Sequence, residues 1–170
     1  MELSQREWWT VIHGMVLGAT FLLAFAGGLA GLYSLRPDLV TVAGIRERLP
    51  RLNLGTAVMA IVAWLTVITG TWLVYPWYRA AIPTSPRSLL IANPAKAEWH
   101  TFGMEWKEHV AWFAPIIATA VAFAVFYYGP RLAKEEGMRR VLIALFIIAF
   151  ATAGVAGLFG AFINKVAPIT

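Results

Sequence analysis

Of the chain's 170 residues, 59% are hydrophobic and only 14% charged, against roughly a quarter charged in soluble globular domains. A soluble domain of this length has no interior large enough for that much apolar surface, so the composition assigns lipid as the solvent for most of it. The absence of cysteine excludes disulfides, thiolate zinc and iron–sulfur sites, and the net charge of +5 is scattered over short connections, which suits a membrane surface rather than nucleic acid.

The length leaves room for one domain, residues 1–170. Four apolar runs stand out, at about 10–33, 54–75, 110–128 and 141–163, and none has an acidic or basic residue in its interior. Each approaches or exceeds the roughly 20 residues that cross about 30 Å of hydrocarbon. They are continuous rather than alternating, which excludes spanning strands. The expected fold is therefore all-α: an integral membrane four-helix transmembrane bundle with a long, partly helical loop between the second and third helices.

The first run is preceded by Glu2, Arg6 and Glu7, an acidic flank unlike that of a signal peptide, and reads as a retained helix. His13 lies about one turn into it, followed by Gly14 and Gly18. The connections 34–53 and 129–140 are compact and carry eight of the basic residues, whereas the termini and the long connection 77–108 carry six. By the positive-inside rule both termini and the long loop lie on the outer side of the cytoplasmic membrane. Seven of the eight tryptophans (Trp8, Trp9, Trp72, Trp77, Trp99, Trp106 and Trp112) fall at that same side, marking it as the worked surface. The fourth run has a seam of small residues, including Ala149, Ala153, Ala156, Gly157 and Gly160, suited to close helix contact.

The long loop contains a helix start, with Asn93 as N-cap and Pro94 at the first helical position. The pattern predicts an amphipathic extension over 94–109 that runs into the third helix, weakened at Gly103 and kinked at Pro115. On a continuous helix, Glu98, Glu105 and His109 share one stripe and His100 falls on roughly the opposite face. With Lys96 and Lys107 nearby, the bland reading of these glutamates, Glu108 included, is a solvated face.

His13 and His109 sit at similar depth on helices that run in the same direction, the arrangement that a b-type haem needs for its two axial imidazoles. Gly14 and Gly18 leave room beside His13, Trp112, Phe113 and Trp9 can wall a porphyrin, and Arg79 is placed for a propionate. The competing reading is two hydrated interfacial histidines. A non-haem metal site built on His100, Glu105 and His109 is a third candidate. Transport is not favoured, because no inverted repeat or intramembrane charge is visible.

Four helices, no cysteine and the pair His13 and His109 resemble the small four-helix b-type cytochromes, which include quinone-linked cytochrome subunits and the membrane anchors of respiratory dehydrogenases. The resemblance covers the four-helix body and rests on those two histidines. It implies one haem b, electron exchange with membrane quinone, and respiratory or other membrane subunits docked on the 77–108 loop; with a haem bound, the glutamates would acquire the role of accepting the protons a quinol releases. The second and fourth helices have no histidine, which departs from two-haem families. A homo-oligomer is a further expected assembly. Alternatives from a different class are a non-catalytic membrane subunit and an assembly factor of a larger complex.

Overall fold

The computed structural model describes residues 2–169, helical with no strand among the described residues. Four helices are long and apolar enough to cross a membrane: α1 (Gln5–Ser34), α2 (Val42–Tyr78), α4 (Trp99–Ala133) and α5 (Glu136–Val166). A short helix, α3 (Pro86–Ile91), lies in the connection between α2 and α4.

Each long helix extends beyond the apolar run that signals it, because local capping carries it further. A capping box starts α1: the Ser4 hydroxyl accepts from the Glu7 N–H at 3.2 Å and the Glu7 carboxylate accepts from the Ser4 N–H at 2.8 Å. Thr41 caps α2 by accepting from the Gly44 N–H at 3.1 Å. The expected loop 34–53 is consequently mostly helix, and α2 passes through Pro50. Pro50 withholds an N–H from the Arg46 carbonyl, but both residues are exposed, so solvent can satisfy that carbonyl. At the same end Gly129, with φ of 50°, stops the α-helical part of α4. The buried Arg139 then closes the turn into α5, donating from Nη1 to the Leu132 carbonyl at 2.9 Å and the Ala133 carbonyl at 3.3 Å.

The four helices run alternately up and down and form a ring: α1 packs on α2, α2 on α4, α4 on α5, and α5 returns to α1. Leu32, Leu52, Met59, Ala118, Val121, Val125, Phe146 and Ala149 fill the centre. Phe25 stacks on Phe150 with ring centroids 4.0 Å apart. The Phe146 ring lies directly on Gly28, where an added Cβ would come within 2.7 Å of Cζ. A side chain at position 28 would force α1 and α5 apart.

A second cluster closes the long-loop end, built on Tyr78, Leu90, Met104, Ile163 and Ala167. Here the sequence expectation needs correction. Asn93 does not cap a helix: its Oδ1 accepts from the Ala95 N–H at 3.0 Å, a local turn that competes with helix formation. The chain keeps turning until Trp99. Helix α4 is then jointed, a π-helical stretch over Trp99–Met104 followed by an α-helical turn over Glu105–His109. Pro115 cannot donate to the Ala111 carbonyl, and just before it Phe113 and Ala114 bond three residues back, to Val110 and Ala111, at 3.1 and 3.2 Å. That is the expected joint. Two further π-helical stretches occur, Ile12–Val16 in α1 and Gly70–Val74 in α2. All three lie toward the long-loop end, and π-bulges of this kind concentrate at functional positions.

Candidate functional site

The π-helical turn of α1 carries His13 into contact with the π-helical turn of α2. His13 Nδ1 lies 3.0 Å from Thr69 Oγ1, and the ring rests on Gly70, where a Cβ would meet Cε1 at 2.9 Å. The Thr69 hydroxyl gives its single proton to the Leu65 carbonyl at 2.7 Å, so its oxygen faces the imidazole as an acceptor. Nδ1 is then the donor in this contact, and in the neutral tautomer that matches it the lone pair is on Nε2.

Across the bundle, Lys107 leaves α4 and reaches inward to α5. Its Nζ donates to the Ala156 carbonyl at 3.3 Å and occupies the space a Cβ at Gly160 would need, 2.5 Å away. No carboxylate lies within ion-pair distance of Nζ among the described residues. An ammonium has three donors, and here one is used. Lys107 and His13 both lie in the long-loop half of the bundle. The two are matched in depth: Ala156 is ten residues from the end of α5 and His13 eight from the start of α1, about 15 and 12 Å along the respective axes. Beside Lys107, the buried Trp106 Nε1 has no hydrogen-bond partner among the described residues, and the indole packs edge-on against Phe159 of α5 at 6.3 Å.

Toward the surface a different set of charges ties α2 to α4. Arg79 Nη2 donates to both Glu108 oxygens, at 3.0 and 3.1 Å, and lies 3.6 Å from Glu105. The guanidinium also sits 5.0 Å from the centre of the Tyr75 ring. Glu105 and Glu108 are thus not the freely solvated face that the sequence suggests, and Arg79 is engaged by carboxylates. His100 is buried and bonded through Nδ1 to the Tyr78 hydroxyl at 2.8 Å. His109 is the reverse, its side chain 71% exposed and its Nδ1 donating to the Glu105 carbonyl at 2.9 Å. Trp112 packs edge-on against Trp64 of α2 at 6.3 Å. Gly14 and Gly18 face open space, with nothing near the position of an added Cβ.

No family model matches the chain, nor does any curated protein or solved structure. The reading of the site therefore rests on its geometry.

That geometry joins His13 with Thr69 and Gly70 of α2 and Lys107 with Ala156 and Gly160 of α5; it does not join His13 with His109. The two α4 residues are two positions apart, about 200° around the helix. With Lys107 turned inward, His109 is turned out. His13 has one ring nitrogen bonded to Thr69, as a metal-ligating imidazole does, but His109 is turned to the surface and Arg79 is engaged by Glu108 and Glu105. The residues expected to hold haem b do not fit it as they stand. His100 and Glu105 likewise have different partners, and among the described residues no three His, Asp or Glu side chains gather closely enough to hold a metal ion.

Lys107 is the residue that reading the sequence as a solvated face passes over. The sequence carries no signal that singles it out, since the π-helical stretch before it displaces the phase counted on an ideal α-helix; in the structure His100, Gly103 and Met104 are buried just ahead of it. Lys107 continues that inward face.

Proposed function

We propose that the four long helices span a membrane and that the chain is a membrane subunit of a redox complex, binding a quinone head group where α1, α4 and α5 converge. The observation that carries this reading is Lys107, an ammonium half-buried against α5 with one carbonyl for a partner among the described residues. An ionisable group in that setting is costly and marks a ligand or ion path. A quinone supplies what the site lacks, an apolar ring bearing two carbonyl acceptors. Lys107 Nζ and Trp106 Nε1 are the donors available to one oxygen. His13, with its lone pair on Nε2, accepts from the hydroxyl of the reduced form. Gly14 and Gly18, beside His13, leave the outer face of α1 open for lateral entry from the membrane.

In this reading the electron-accepting centre belongs to a partner. The connection outside the four helices exposes Ile82, Leu89 and Ile91, each nearly half accessible, an apolar surface suited to a docked subunit.

A photoreactive quinone analogue tests the assignment. After illumination of the purified protein, the label is expected on peptides that contain His13 or 106–107. Label confined to the exposed tryptophans Trp8 and Trp72 would contradict it.

A further inference from the structure

At the other end of the bundle, α1 and α2 leave an open cleft of about 270 Å³ along their outer face. Its floor is apolar: Gly27, Ala30 and Gly31 on α1, Leu52 on α2. Its mouth is cationic, formed by Arg48 and Arg51 over Ser34. Arg48 is fixed in place by α1, since its Nη1 donates to the Ser34 carbonyl at 2.7 Å and to the Leu39 carbonyl at 3.2 Å. Its Nε and Nη2 have no hydrogen-bond partner in the chain among the described residues. Arg51 is exposed and, among the described residues, its ion pair is with Glu47, one turn away on its own helix, at 3.1 Å. No acidic side chain lines the cleft itself. From Gly27 to Ser34 the cleft changes from apolar to cationic over seven residues, about 10 Å of helix rise.

We propose that this cleft binds one anionic phospholipid, with its phosphate on Arg48 and Arg51 and an acyl chain along the Gly27–Gly31 face of α1. A guanidinium fork matches phosphate geometry, and a basic pocket between membrane helices recognises an anionic head group. The inference requires the helices to lie in a membrane, but it is independent of the quinone site, which sits at the opposite end.

Gly27 provides a test that leaves both arginines untouched. A Cβ at Gly27 meets nothing within 4 Å, so a side chain can start there without a clash and Gly27→Leu places its bulk on the cleft floor. Gly157→Leu, at an equally open position on α5, serves as the control. Native mass spectrometry of the full chain, exchanged into detergent with equal phosphatidylglycerol and phosphatidylcholine, reads the retained lipid. The expected result is one phosphatidylglycerol retained in preference, with the preference lowered about fivefold by Arg51→Gln. Gly27→Leu is expected to abolish it and Gly157→Leu to leave it intact. Equal retention of the two lipids in the wild type, or an unchanged preference in Gly27→Leu, would overturn the proposal. Complete displacement of the lipid by millimolar inorganic phosphate would also overturn it, by showing that the site takes a free anion.

Discussion

A lysine half-buried against an apolar helix costs desolvation energy that a single carbonyl does not recover. If Lys107 is retained to meet a ligand, removing its charge should separate stability from binding. Lys107→Met keeps the length of the side chain over Gly160 and is expected to stabilise the protein by about 1–4 kcal/mol, read as a higher midpoint of thermal unfolding in detergent, while quinone binding is lost. A lower midpoint would mean that the ammonium is structural. The histidines differ in the same measurement. His100→Ala strands the buried Tyr78 hydroxyl and should cost about 1–3 kcal/mol, whereas His109→Ala removes an exposed ring and should stay within about 0.5 kcal/mol of wild type. In the 35–41 turn, the hydrogen bond from Arg36 holds the Asp38 carboxyl below the usual aspartate range. A lowered folded-state value contributes stability above the unfolded-state pKa and loses it as pH falls through the folded one. Arg36→Gln should therefore shift the Asp38 carboxyl titration upward in carbon-13 spectra; an unmoved titration would show that the bond is not formed in solution.

Among the elements, how legible each feature was depends on what encodes it. The helix count follows from uninterrupted apolar runs, a signal that needs no tertiary information. Pro115 and Gly129 are likewise readable, because proline and glycine impose their breaks locally. The starts of α1 and α2 are less so: Ser4 and Thr41 cap them through single hydroxyls that lie outside the apolar runs. Asn93 offered two local structures, a helix cap or a turn, and sequence alone does not choose between them. The site was the least legible part. Three π-helical stretches advance the chain by more than 3.6 residues per turn, so phase counted on an ideal α-helix drifts there. The partner of His13 lies on α2, at Thr69, where the apolar run showed no titratable group to pair with it. The close approach of α1 and α5 makes its own prediction. Gly28→Leu drives a side chain into the Phe146 ring and should lower stability by about 1–3 kcal/mol, while Gly154→Leu, at a position with nothing within 4 Å, should be nearly neutral. Equal losses at the two positions would contradict the packing of Phe146 on Gly28.

At the scale of the molecule, four alternating helices put both termini and the 79–98 connection at one end and the basic turns at the other. The chain has no cysteine, so single cysteines can be introduced without background. In intact cells a membrane-impermeant maleimide is expected to label Lys96→Cys from outside and to miss Lys134→Cys; the opposite pattern would reverse the orientation. Both positions are exposed, which makes the comparison one of side rather than of burial. The central claim is that the bundle holds a quinone through Lys107 rather than a haem through His13 and His109. Titration of the purified protein in neutral-lipid nanodiscs with a short-chain benzoquinone, read by quenching of tryptophan fluorescence, tests it most directly. The expected result is saturable quenching in the wild type, unchanged in His109→Ala and weakened at least about tenfold in Lys107→Met, the loss of one charge-assisted hydrogen bond. Equal quenching in wild type and Lys107→Met, or a sharp reduced-haem band that disappears in both His13→Ala and His109→Ala, would contradict it.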